Sequence, residues 1–373
     1  MPAMLELLAD LVEIESPSTD PAASRRVLER LIPELSALGF RPRIRPGEAT
    51  GGYLIARPAG RVAAPIQLIL GHGDTVWPLG TEAVRPWELA NGEAKGPGSF
   101  DMKAGLVQIV FALEAIRALD GEPPVVPYVL VNTDEEIGSR ESGPTIDRLA
   151  RISCRAFVLE PSLGLGGALK TARKGLGRYT VTIHGRAAHA GLDPTAGASA
   201  ILELSSVIQR LFALNDYARG ITINVGTIEG GIRSNVVAPE SEASVDVRVL
   251  RHEDATAVDA AIRSLDAQTP GTEISVEGGF GRPPMERSAA NAALFTSANR
   301  IGSELGLELQ EVTAGGGSDG NTTSQHTATL DGLGAIGDGA HAPSEHVLTD
   351  SLPTRTALLA GLLLEPIDQG GNR

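Results

Sequence analysis

From Gly177 the hydrophobic rhythm of this chain changes, and after Pro283-Pro284 it changes back. Upstream, strand-like and helix-like segments alternate. Residues 65–70 form a short apolar run that ends at Gly71. Residues 125–131 are β-branched and nearly all apolar, the mark of a strand buried on both faces. Residues 156–159 are another such run. Between them, residues 102–119 set Leu106, Ile109, Val110 and Leu113 on one helical face. Two amphipathic helices are expected earlier, at 3–15 and 21–38, with Gly39 and Pro42 closing the second. This alternation predicts an α/β layer with a mostly parallel sheet flanked by helices. Between Gly177 and the double proline the period is two instead. Residues 178–184, 221–228, 241–250 and 273–277 read as strands, with helices at 195–214 and 253–267. The order β-α-β-β-α-β is that of a ferredoxin-like unit. Helices at 289–305 and 352–364 then resume the first pattern. The expected organisation is an α/β domain in two pieces, 1–174 and 286–373, interrupted by an α+β insert at 175–285.

Composition narrows the class of function. With 373 residues, 42% of them hydrophobic and 21% charged, the chain is an ordinary globular one of two or three domains. Its 32 basic and 46 acidic residues give a net charge of −14, which argues against a nucleic-acid or anionic-membrane partner. One cysteine, Cys154, rules out an internal disulfide framework and a cysteine-based metal cluster. No apolar run approaches a membrane span, and the first residues carry no secretory pattern, so a cytoplasmic location is expected.

Five short segments could carry chemistry. His72 and Asp74 follow the first buried run; spaced by two in extended backbone, they share a face. A carboxylate so placed can fix the tautomer of a metal-bound imidazole, although a plain polar turn would read the same. Asp101, in Gly96-Pro97-Gly98-Ser99-Phe100-Asp101, opens the helix expected at 102. It is either a helix cap or a carboxylate held for a metal. Asp134, Glu135 and Glu136 follow the second buried run, where ligands of open α/β sheets bind. Three adjacent acids repel unless a cation or solvent compensates. Glu160 closes the third run, and His341 lies in a turn of small residues. Two imidazoles and three carboxylates without cysteine suit catalytic zinc. Five protein ligands exceed one tetrahedral ion with a free position. They fit two ions about 3.5–4 Å apart that share a bridging carboxylate and water.

These motifs resemble the co-catalytic zinc aminoacylase/carboxypeptidase family, and most nearly its carboxypeptidase-G-type glutamate carboxypeptidases. The resemblance covers nearly the whole chain and implies two zinc ions per chain, with cobalt or manganese as substitutes. By resemblance, His72, Asp101, Glu136, Glu160 and His341 are the metal ligands, with Asp101 bridging. Asp74 orients His72, and Glu135 is the general base. The insert becomes a lid and dimerisation domain. In it, Gly185-Arg186-Ala187-Ala188-His189-Ala190-Gly191 is similar to a lid segment whose histidine acts in a neighbouring subunit's site. Ser234-Asn235-Val236-Val237-Ala238-Pro239 is similar to a substrate-contacting segment, one residue longer than the family's. Arg248, in Asp246-Val247-Arg248, matches an arginine that grips a substrate carboxylate. Gly316, in Gly315-Gly316-Gly317-Ser318, falls in a glycine-rich substrate loop. The implied function is hydrolysis of the amide bond to a C-terminal amino acid with a free carboxylate, in a homodimer. The alternative is an N-acyl-amino-acid deacylase, such as an acetylornithine deacetylase-like or desuccinylase-like enzyme.

Overall fold

The strand Ile66–His72 is buried along its whole length, and the first part of the molecule is built around it. A computed structural model describes residues 1–60 and 65–367 and divides into two units. The first comprises Met1–Thr171, Arg287–Ala314 and the chain from Ser318 onward. The second comprises Ala172–Glu286 together with Gly315–Gly317.

The sheet of the first unit has six strands. In space they run Phe40–Arg45, Tyr53–Pro58, Val126–Asn132, Ile66–His72, Ser153–Val158 and Ala328–Leu330. The last four are parallel. The first two are antiparallel, so the sheet is mixed rather than simply parallel. That hairpin lay outside the expected alternation. Its outer strand exposes Arg41, Arg43 and Arg45 and contains Pro42, as an edge strand that resists further pairing does. Helices Pro2–Glu13, Ala104–Ala118 and Leu352–Leu364 bury Leu8, Leu11, Val107, Leu113, Leu358 and Leu359 in one core.

A second, smaller sheet matters more for position. It is antiparallel, in the order Gly337–Asp338, His346–Leu348, Glu93–Lys95, Glu88–Ala90. His346 lies opposite Lys95. The turn holding His341 and the loop holding Asp101 therefore leave from neighbouring strands.

The second unit is an antiparallel sheet in the order Thr222–Gly230, Glu240–Val249, Gly175–His184, Glu273–Arg282. With helices Ala200–Phe212 and His252–Arg263 this is a ferredoxin-like arrangement. Val181, Ile183, Val245 and Val247 meet Leu204, Val207, Val258 and Ile262 in its own core. Gly315–Gly317, expected in the last segment of the α/β domain, belongs here instead. Arg173 Nη1 donates to the carbonyls of Gly316 (3.1 Å) and Gly317 (3.2 Å), and Leu176 and Arg282 leave no room for a Cβ on Gly317. The expected last segment also includes residues 368–373, which lie outside the described residues. Among the described residues no helix is long and apolar enough to cross a membrane.

Candidate metal centre

Parallel strands bring the first residues together. His72 is the last residue of its strand and lies level with Asn132, the last residue of the neighbouring one. Glu135 and Glu136 begin the short turn just beyond Asn132. Glu160 stands two residues past Ser153–Val158, on the other side of Ile66–His72. All four thus lie at or just beyond the carboxyl ends of adjacent strands.

Asp101 joins them from the glycine loop. Gly98 has φ 72°, and a Cβ there would collide with Thr75. Asp101 does not cap a helix, one of the two readings its sequence allows. Its backbone is extended (φ −113°, ψ 96°), and the regular helix starts only at Ala104. The carboxylate is left to face two imidazoles. Oδ1 lies 3.2 Å from His72 Nε2, and Oδ2 lies 3.4 Å from His341 Nε2. His341 Nε2 also lies 3.0 Å from Glu136, and His72 Nε2 lies 3.6 Å from Glu160. His341 has φ 59°, a left-handed conformation uncommon outside glycine and often stored at functional sites.

Asp74 is fully buried behind His72. Its Oδ1 is 3.4 Å from His72 Nδ1, whose nearer acceptor is the Asp74 carbonyl at 3.0 Å. The carboxylate also accepts from Ser18 Oγ (2.6 Å) and from the backbone N–H groups of Glu135 (3.3 Å) and Glu136 (3.2 Å). It therefore ties the imidazole of one motif to the backbone of another.

The acids and imidazoles of the cluster shift one another's protonation. Burial pushes the Asp101 carboxyl up, but hydrogen bonds from His341 and His72 outweigh it and hold the group well below the carboxylate range. Burial opposes protonation of His72, yet Asp101 and Asp74 raise it well above an ordinary histidine. His341 is raised to about 10 by Asp101 and then Glu136. Acids crowded against two imidazoles favour a positive charge among them, which a metal ion would also supply. Donor atoms of His72, Asp101 and Glu136 all lie within 4.8 Å of one another, and so do those of His72, Glu135 and Glu160. Both groups share His72, and their nitrogen and oxygen donors without sulfur fit zinc; a carboxylate with one oxygen toward each histidine fits a bridge between two ions. Glu135, expected to act only as a base, also lies close enough to serve as a ligand.

Two neighbours were not singled out by sequence reasoning. Lys103 is buried, donates to the carbonyls of Ile14 (2.8 Å) and Pro97 (3.4 Å), and is pushed down to about 7 by burial. Glu345 is buried against the glycine loop. Both would have been visible only as charged residues in otherwise small or apolar surroundings.

In the second unit His189, Asn235 and Gly316 are exposed and Arg248 is half-buried. His189 Nδ1 accepts from the N–H groups of Gly191 (3.1 Å) and Leu192 (3.2 Å), which leaves Nε2 as the N–H donor. His189 bridges to Val236, and the Asn235 carbonyl accepts from Ala190 N–H at 3.0 Å, so the two segments form one ribbon. Arg248 is braced by Asp246 (Nε, 2.9 Å) and by the Gly315 carbonyl (Nη1, 2.9 Å), and neither bond uses Nη2. Gly316 contributes its carbonyl to Arg173.

The peptidase dimerisation domain of the M20 family matches residues 171–270. The chain is 28% identical to carboxypeptidase G2 from Pseudomonas sp. (strain RS-16), over 98% of this chain and 89% of that protein. It is 26% identical to succinyl-diaminopimelate desuccinylase from Marinobacter nauticus, over 97% of this chain and 98% of that one. Residues 171–270 thus match the dimerisation domain of M20 peptidases, and nearly the whole chain is similar to carboxypeptidase G2. The chain is a hydrolytic enzyme. The fold agrees with that of the aminopeptidase PepT from Bacillus cereus, with TM-score 0.83 and 21% identity over 97% of each chain.

Proposed function

We propose that this hydrolase cleaves the amide bond to a C-terminal amino acid with a free carboxylate, glutamate by preference, at a centre of two zinc ions. The observation that carries the reading is Asp101, with one oxygen toward His72 and the other toward His341. In this reading His72, Asp101, Glu136, Glu160 and His341 hold the metals. Cobalt or manganese would serve as substitutes. When bound, the ions would polarise the amide carbonyl and lower the pKa of an attacking water. The protein's residues do the rest. Asp74 keeps His72 in the tautomer that offers Nε2. Glu135 takes the proton from the water and returns it to the leaving amine. His189, with Nε2–H as donor, stabilises the carbonyl oxygen as charge develops, from the partner protomer. Arg248 orients the free carboxylate through its unused Nη2 edge, and Asn235 and Gly316 border the substrate.

A homodimer is part of the reading. It is supported by the matched dimerisation domain and by Ile201, Leu202, Ile228 and Ile232, which are 49%, 60%, 62% and 68% exposed in one unit. A cytoplasmic setting is supported by the single free cysteine, Cys154.

The deacylase reading is favoured by one finding, the full-length similarity to the Marinobacter desuccinylase. One experiment separates the two. The zinc-loaded protein is assayed on N-acyl glutamates, their amides and succinylated diamino acids, before and after chelation. Turnover of N-acyl glutamates, abolished by chelation and restored by zinc, is the expected result. Turnover confined to succinylated substrates would replace the first reading with the second. Turnover that survives complete metal removal would sink both.

A further inference from the structure

Glu345 is only 1% exposed, and its carboxylate accepts four hydrogen bonds. Oε1 accepts from the backbone N–H groups of Phe100 (3.0 Å) and Asp101 (3.1 Å). Oε2 accepts from the backbone N–H of Gly98 (3.0 Å) and the indole Nε1 of Trp77 (3.0 Å). Both oxygens must therefore be acceptors. A glutamine would turn an NH₂ group toward two N–H donors, so only a carboxylate satisfies this pocket.

The four donors come from two segments that carry site residues. Trp77 is three residues beyond Asp74, and Gly98, Phe100 and Asp101 form the glycine loop itself. Glu345 is four residues beyond His341 and so brings a third segment into the same knot. Arg85 closes it from outside, with its guanidinium 4.3 Å over the Trp77 ring and Nη2 3.4 Å from the Ala342 carbonyl. The Asp101 side chain is thus aimed by a backbone that has no helix to hold it and is held by Glu345 instead.

We infer that Glu345 is a positioning residue for the dinuclear centre, fixing the Asp101 backbone so that one carboxylate oxygen faces His72 and the other His341. This rests on the two-zinc reading above. Outer partners of metal ligands typically carry 10–100-fold in metal affinity. A residue that only stabilised the loop would change folding and leave metal affinity alone.

The test compares the wild type with Glu345→Gln and Trp77→Phe. Zinc affinity and stoichiometry are measured by competition with a chromophoric chelator, thermal unfolding without metal is recorded, and kcat is separated from KM. Glu345→Gln should weaken zinc by about 10–100-fold and lower kcat with KM little changed, and saturating zinc should recover part of the kcat. Trp77→Phe removes one donor of four and should cost a few-fold. Wild-type zinc affinity in Glu345→Gln, whatever its thermal stability, would overturn the inference. If that variant does not fold, an unchanged zinc affinity in Trp77→Phe overturns it equally. Failure of the wild type to bind two zinc ions is a different outcome: it removes the reading of the site itself.

Discussion

The two units hold their site residues in opposite ways. In the first, the side chains bind one another: Asp101 joins His72 and His341, and Asp74 joins His72 to the Glu135–Glu136 backbone. In the second, His189 is exposed and braced by backbone N–H groups, and the half-buried Arg248 is braced by the Asp246 carboxylate and the Gly315 carbonyl. The first arrangement suits a centre whose largely buried acids repel one another unless a cation lies between them. The second suits groups preset to meet something that arrives from outside, since their free donors, Nε2 of His189 and Nη2 of Arg248, are left for it. Substitutions in the first unit should therefore act on metal and chemistry, and those in the second on substrate and partner.

Glu135 tests the first half of that contrast with the largest effect. Glu135→Ala should lower kcat by about 10²–10⁴-fold, the usual worth of a general base, with two zinc ions still bound. Metal analysis of the purified variant beside its kcat reads both. Because Glu135 lies within reach of His72 and Glu160, a variant that loses one zinc would move it from base to ligand.

Arg248 probes the second half. Arg248→Ala removes a charged hydrogen bond worth about 1.5–3 kcal/mol, so kcat/KM for a free-carboxylate substrate should fall roughly 10–150-fold. The amidated analogue should lose little, and zinc content should not change. Equal losses on both substrates would mean that the guanidinium shapes the glycine segment through Gly315 rather than the substrate.

How much of this was legible in the sequence follows from the same contrast. Strand-end residues could be found because a strand buried on both faces announces itself as an apolar run, and His72, Glu135, Glu136 and Glu160 follow such runs. The insert was legible through its change of period. Asp101 was half legible. Its loop marked it, but the helix pattern at 102–119 suggested a cap, and the extended backbone at Asp101 is set by tertiary contacts. Glu345 was not legible at all, because its donors lie 244 to 268 residues away. Gly315–Gly317 was misassigned for a related reason, since its place depends on arginines from distant strands.

The raised histidines sharpen the first unit's side of the comparison. His72 and His341 are both raised by carboxylates, His341 to about 10. A histidine raised in the folded state stabilises it fully below its unfolded pKa, near 6.5, and that contribution is lost as pH rises through the folded value. The metal-free protein should thus lose this contribution as pH climbs toward about 10. Zinc affinity should move the other way, because each ion must displace a proton. Between roughly pH 6.5 and 8 it should strengthen by about tenfold per pH unit for each proton released. Calorimetry in buffers of different ionisation enthalpy counts those protons. A zinc affinity flat across this range would mean that the metal-free rings are neutral.

The last prediction sets one unit against the other within a dimer and has the smallest amplitude. Glu135 belongs to the first unit and His189 to the second. If His189 serves the partner's site, neither single variant, Glu135→Ala nor His189→Ala, can build a complete site in its own homodimer. In a hybrid dimer one site combines an intact Glu135 with an intact His189 supplied across the two-fold axis, and the other site lacks both. Random exchange about a two-fold axis makes half the dimers hybrids. Half of their sites are complete, so mixing should restore up to about a quarter of wild-type turnover. Native mass spectrometry on differently tagged variants would establish that hybrids form. Hybrids without recovered activity would place His189 in its own subunit's site or outside catalysis, because only a residue acting across the interface can be complemented this way.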